Sequence, residues 1–310
     1  MSIREIEFQS FNERDTVKAW RYSPIPEPRA IVQIVHGLGE HSRRYLHMIL
    51  KMNDAGFVVC ADDHVGHGKT AYDSNTWGDF GTKGYMTTVE DEHTLRKIVT
   101  EEYPDLPYFM YGHSWGSMIA RNYAAHYAEG MAGLIICGAS AEYSNMLGLV
   151  EKTQGYIDQG KDNEVVMELV FEAFDDMTDR YENVKSPMDW ISADERVVAD
   201  HSEDPFNNLE TPMNVRLLYD MGMALKMVQG VEWAAKIPKT LPVYNIAGDM
   251  DPVAAYGEGT KMVSQWLTET GHEDVTTKIY PGFRHEIHNE PPIRDEVEDG
   301  IIAFVNKRLG

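Results

Sequence analysis

Residues 112–116, Gly-His-Ser-Trp-Gly, set Ser114 between two glycines at the spacing G-x-S-x-G. In that pattern the serine occupies the tip of a sharp strand-to-helix turn. The backbone there is strained, so the residues two positions to either side must be small enough for strand and helix to close together. The chemistry on offer is nucleophilic attack on a carbonyl carbon. A free hydroxyl is a poor nucleophile, however, and needs a base within hydrogen-bond reach that is itself oriented by a carboxylate. Strand-type residues 108–111 precede the turn, and the alanine-rich segment 117–128 follows it with Ile119, Tyr123 and Tyr127 at helical spacing. Such a helix directs its free amides and partial positive charge at Ser114.

The base and its carboxylate are sought on loops beyond the carboxyl ends of later strands. A strand pattern at residues 242–247 runs into Gly248-Asp249-Met250-Asp251-Pro252, and another at 275–280 runs into Pro281-Gly282-Phe283-Arg284-His285. Serine, then aspartate, then histidine is the chain order expected for this kind of sheet. Asp251 is preferred to Asp249, because the loop must carry its carboxylate away from the strand end while the earlier aspartate ties down its own turn. His285 is preferred to His288 as the residue nearer the strand end. Negative charge building on a carbonyl oxygen calls for preorganised amides. One is the amide of Trp115, which opens the helix after the serine. The other comes from the loop after the strand at 31–35, where Leu38 follows His36-Gly37.

Other patterns point away from cofactors. Gly68-Lys69-Thr70 matches the end of a P-loop, but Asp63 stands where its first glycine belongs, and an acidic side chain there repels phosphate. The H-x-x-H pairs His64/His67 and His285/His288 lack the i, i+4 geometry and the glutamate of a zinc-protease helix, so no catalytic metal is expected. The formal net charge of −22 disfavours nucleic acid and anionic membrane surfaces as partners. Cys60 and Cys137 both lie in apolar strand-like runs and read as core residues rather than a disulfide. Charged residues occupy the N-terminal segment where a signal peptide needs an apolar block, and no stretch approaches about 18 apolar residues. A cytoplasmic protein with no transmembrane segment is the expectation.

The elements that must position these groups follow from periodicity. An opening hairpin is expected from 3–8 and 17–22, then buried strands at 31–35, 57–61, 108–111 and 134–137, alternating with helices at 43–53, 88–101 and 117–128. Strands alternating with helices at this spacing make an α/β fold, a mostly parallel sheet with helices on both faces. The alternation stops after about residue 140. Helix-like segments rich in methionine and aromatics follow at 146–159, 163–174, 194–201 and 211–227, before the strand at 242–247 resumes the pattern. A helix at 255–270, the strand at 275–280 and a helix at 291–307 close the chain. The expected organisation is therefore a core of residues 1–140 and 241–310 carrying a helical insertion at 141–240.

With these pieces placed, the chain resembles the monoacylglycerol lipase and lysophospholipase group of α/β-hydrolases, which also includes serine aminopeptidases of the proline iminopeptidase kind. The resemblance rests on three stretches, residues 36–45 (His-Gly-Leu-Gly-Glu-His-Ser-Arg-Arg-Tyr), 63–68 (Asp-His-Val-Gly-His-Gly) and 112–117. It implies a helical lid over an acyl pocket, oxyanion amides from Leu38 and Trp115, and hydrolysis of a small-molecule ester with an apolar acyl group. The family often has methionine where Trp115 stands, and an indole there narrows the pocket. A methionine-rich lid suits flexible acyl chains. The enzyme alternative is an aminopeptidase or amidase, with Glu168, Glu172, Asp175 or Asp176 holding a substrate ammonium. A third reading is a binding module that keeps the fold without catalysis.

Overall fold

A computed structural model of the chain describes residues 1–175, 177–208, 211 and 213–309. Its strands are β1 (Ser2–Gln9), β2 (Thr16–Ser23), β3 (Ala30–Val35), β4 (Phe57–Asp63), β5 (Tyr108–His113), β6 (Met131–Cys137), β7 (Val243–Gly248) and β8 (Val275–Tyr280). They form one sheet in the order β1-β2-β4-β3-β5-β6-β7-β8. The opening hairpin is antiparallel, β2 also pairs antiparallel with β4, and the remaining six strands run parallel. Every residue of β3, β4, β5 and β7 is buried, because a parallel strand covered on both faces has no solvent side and so reads as an unbroken apolar run. Gln33 is the exception in β3.

Helices α1 (Leu46–Asp54), α2 (Gly68–Ser74), α3 (Met86–Glu102), α4 (Trp115–Tyr127), α5 (Met146–Ile157), α6 (Met167–Phe174), α7 (Glu195–Glu203), α8 (Val215–Lys226), α9 (Gly230–Ala234), α10 (Glu258–Glu269) and α11 (Arg294–Asn306) complete the chain. Strand alternation divides the core in two. Ile31, Val58, Met110 and Ile136 face Leu95 of α3, Ile119 of α4 and Val263 of α10. Their neighbours Val32, Val59, Phe109 and Ile135 face Met48 of α1 and Val297 and Ile301 of α11. Each such side chain contributes about 1.5–3 kcal/mol on burial, and together they hold the strand ends that carry the site. The expected sheet with helices on both faces is the observed architecture.

From β6 to β7 the described residues contain helices α5 to α9 and no strand. Two helices there begin later than their periodicity predicts. The amides of Val215 and Arg216 donate to the carbonyls of Glu164 and Asp162, at 2.9 Å each, so residues 162–164 cap α8 from outside instead of starting α6. Asn214 completes that cap by accepting from the Leu217 amide at 2.8 Å. Pro212, within the expected helix at 211–227, and Asp176 lie outside the described residues. Helices α2 and α9 are additions to the expected order.

Candidate active site

The strand order reverses between β3 and β5, since β4 pairs on one side of β3 and β5 on the other. A crevice opens at such a point beyond the carboxyl ends of the strands. Ser114 stands at the end of β5 with φ 55° and ψ −122°, a region that costs about 1–3 kcal/mol for a residue with a side chain. Two glycines permit the turn. A Cβ on Gly112 would stand 2.4 Å from the Gly116 carbonyl oxygen, and one on Gly116 would stand 2.2 Å from that of Val35. The Ser114 amide donates to the Cys137 carbonyl at 2.9 Å, which pins the elbow to the end of β6.

Asp251 and His285 meet from two different loops. His285 Nδ1 lies 2.9 Å from Asp251 Oδ1, and the same oxygen accepts from the amides of Val253 at 2.9 Å and Ala254 at 3.3 Å. Both residues are buried, and His285 Nε2 has no hydrogen-bond partner among the described residues. The imidazole passes over the end of β6 beside the elbow, where a Cβ on Gly138 would stand 2.9 Å from His285 Cε1. The alternatives sit elsewhere. Asp249 accepts from the Gly282 amide at 2.6 Å, so instead of tying down its own turn it binds the loop after β8 that carries His285, while His288 is buried, stacked on Tyr45 at 4.8 Å.

Leu38, Trp115, Ser114 and His285 line one cavity of about 360 Å³. Much of its wall comes from Met118, Met146, Met177, Met188, Met213 and Met221. The indole of Trp115 is 3% exposed and packs against a pair of stacked rings, Phe80, 5.0 Å away and nearly parallel, and His67 at 5.1 Å. Glu168, Glu172 and Asp175 are not among the residues lining the cavity.

A buried ionic network adjoins the cavity, whose wall includes Glu40, His113 and Glu286. Glu40 Oε1 accepts from the Gly37 amide at 2.6 Å and from the Tyr45 hydroxyl at 2.7 Å, and lies 3.2 Å from His113 Nδ1. Arg44 bridges Glu40 at 3.4 Å and Glu286 at 2.6 Å, and reaches Asp200 of α7 at 3.3 Å. Burial alone would raise the Glu40 carboxyl, but His113 and Arg44 hold it well below the usual carboxylate range. Burial likewise opposes charge on His113, and Glu40 lifts it above its ordinary value. Glu286 is held low against burial by Arg44. Glu40 and Arg44 stand within the 36–45 stretch and Glu286 follows His285, so adjacency to the motifs was the available signal.

Donor sets with metal-ligating atoms occur twice among the described residues, as His113/Cys137/His288 and as Asp62/His64/Glu92, all buried. In the first, burial pushes the Cys137 thiol well up, away from the thiolate that binds metals. The P-loop-like turn is closed to phosphate, because Asp63 already accepts from the Lys69 amide at 2.6 Å.

A model of the family described as serine aminopeptidase, S33, matches residues 26–292. The chain is 29% identical over 300 residues to a monoacylglycerol lipase of Mycolicibacterium smegmatis, with 92% of each chain covered. Among solved structures it is similar to a highly thermostable carboxyl esterase from Bacillus coagulans in complex with glycerol, with TM-score 0.98 and 60% identity over the whole of both chains. It is also similar to a lipase in an open form, with TM-score 0.94 and 40% identity, again over both chains in full.

Proposed function

The chain belongs to the α/β-hydrolase family described as serine aminopeptidase, S33, and from that membership we propose a carboxylic ester hydrolase that works through an acyl-enzyme on Ser114. The observation that carries this reading is His285, whose Nδ1 is held by Asp251 at 2.9 Å while its unpartnered Nε2 belongs to a residue lining the same cavity as Ser114. Asp251 keeps the proton on Nδ1, so Nε2 is free to take the serine proton as Oγ attacks the ester carbonyl. The amides of Leu38 and Trp115 receive the oxyanion, and each such donor is worth about 10²–10³ in rate. His285 then returns the proton to the leaving alcohol, and water, activated the same way, releases the acid.

The cavity wall of methionines fits a flexible apolar acyl chain. Monoacylglycerols, lysophospholipid-like esters or other small acyl esters are the substrate class, in keeping with relatives named as monoacylglycerol lipase and carboxyl esterase. Residues 141–240 serve as the lid, since Met146, Phe174, Met188, Met213 and Met221 of that segment line the cavity. The aminopeptidase reading has less support. Glu168, Glu172 and Asp175 are not among the described residues that line the cavity, and the two carboxylates that are, Glu40 and Glu286, are already compensated by Arg44.

A fluorophosphonate probe is expected to label the chain at Ser114, and labelling that persists in Ser114→Ala would end the proposal. Turnover of a series of acyl esters against an aminoacyl anilide separates the two enzyme readings, with the esters expected to be the faster substrates.

A further inference from the structure

We propose that Asp62, His64 and Glu92 form a structural site for a divalent metal ion, for which Zn²⁺ is the best match. Asp62 lies in β4, His64 just after it, and Glu92 reaches them from α3; each is at most 1% exposed. His64 Nδ1 lies 3.1 Å from Asp62 Oδ1 and 3.3 Å from Glu92 Oε1. Yet Asp62 Oδ1 and Oδ2, His64 Nδ1 and Glu92 Oε1 are all buried without a hydrogen-bond partner. Close approach without hydrogen-bond geometry is what atoms aimed at a shared centre display. Ligands bonded at 2.0–2.2 Å with angles of 90–109° stand about 2.8–3.6 Å from one another, and both measured separations fall in that range.

The surroundings prepare the same three atoms. His64 Nε2 lies 3.3 Å from the His36 carbonyl oxygen, to which it donates, so Nδ1 is the ring atom that faces the two carboxylates and would ligate a metal once deprotonated. Without a metal that place is held by a proton, which Asp62 favours on His64 against the effect of burial. Glu92 Oε2 accepts from Gln33, the lone polar residue of β3, whose own oxygen accepts from the Tyr108 hydroxyl at 2.9 Å. Glu92 is therefore turned with Oε1 towards the other two. No lysine or arginine among the described residues forms an ion pair with Asp62 or Glu92.

The site lies apart from the ester chemistry, as none of its three residues lines the cavity. It braces that chemistry instead. The His64 ring stacks on His36 at 3.8 Å and its amide donates to His36 Nε2 at 3.1 Å, while His36 Nδ1 donates to the Gly37 carbonyl at 2.8 Å. A metal at His64 would thus fix the turn that presents the Leu38 amide. The H-x-x-H pairing of His64 with His67 plays no part, because His67 is engaged with Val65 and stacked on Trp115.

Elemental analysis of the purified chain, exchanged into metal-free buffer, is expected to find about one equivalent of zinc per chain. Refolding with Zn²⁺ should give a higher Tm than refolding with a chelator, and refolding with Co²⁺ should give the visible absorption of a coordinated ion. Asp62→Asn and Glu92→Gln should fall below about a tenth of an equivalent, while Ser114→Ala keeps its metal and loses only activity. If either ligand variant fails to fold, the cobalt spectrum of the unaltered chain decides. Zinc below a tenth of an equivalent after refolding with Zn²⁺, with a Tm indifferent to chelator, would overturn the proposal and leave a proton shared among the three groups.

Discussion

The imidazole of His285 serves as a base only in the tautomer that leaves Nε2 bare, and in the proposed triad one oxygen of Asp251 selects it. Asp251→Asn keeps an oxygen acceptor for the Val253 and Ala254 amides and for the ring but removes the charge that stabilises the imidazolium formed as Ser114 attacks. Its kcat is expected to fall by about 10³–10⁴ with Tm nearly unchanged; steady-state kinetics beside thermal unfolding check this. The Glu40–His113 pair makes a prediction about pH. His113, with its folded pKa raised above 6.5, adds stability that is complete below 6.5 and fades as pH rises through the folded value. Glu40, lowered below 4.5, adds stability present above 4.5 and lost as pH falls through its folded value. The stability deficit of His113→Gln should therefore be largest between about pH 5 and 6 and shrink towards pH 9, as read by denaturant unfolding at each pH.

At the scale of elements, the elbow works because α4 and β5 approach more closely than any Cβ allows. Gly116→Ala sets a methyl 2.2 Å from the Val35 carbonyl and 2.4 Å from that of His36, neither of which can move without shifting β3. A loss of about 1–3 kcal/mol or more is expected, together with slower probe labelling at Ser114. Trp115 is the element-level control on substrate size. Its indole is buried against the stacked rings of Phe80 and His67, so it forms a fixed wall. Trp115→Met should shift the preference along an ester series towards longer acyl chains, and an unchanged profile would mean the indole sets no limit.

For the whole molecule, the charge of −22 and pI near 4.9 make self-repulsion the dominant long-range force at neutral pH. Raising ionic strength screens it over about 10 Å at 0.1 M, so Tm at pH 8 should rise with added sodium chloride; a falling Tm would show that buried pairs matter more. No described helix is long and apolar enough to cross a membrane.

Much was legible before any coordinates. Fully buried strands print themselves as continuous apolar runs, so β3, β4 and β5 and the order in which Ser114, Asp251 and His285 follow their strands could be read from residue types alone. Helices α2 and α9 could not, being too short for a periodicity, and the late starts of α6 and α8 depend on carbonyls of residues 162–164 reaching across to Val215 and Arg216. The bridge from Arg44 to Glu286 joins positions 242 residues apart, and Glu92 meets Asp62 and His64 only because α3 packs against β4. Local pattern encodes what each residue does to its own neighbours along the chain. Which buried charges compensate one another is decided in three dimensions, because Coulomb forces act through space and the fold alone sets those distances.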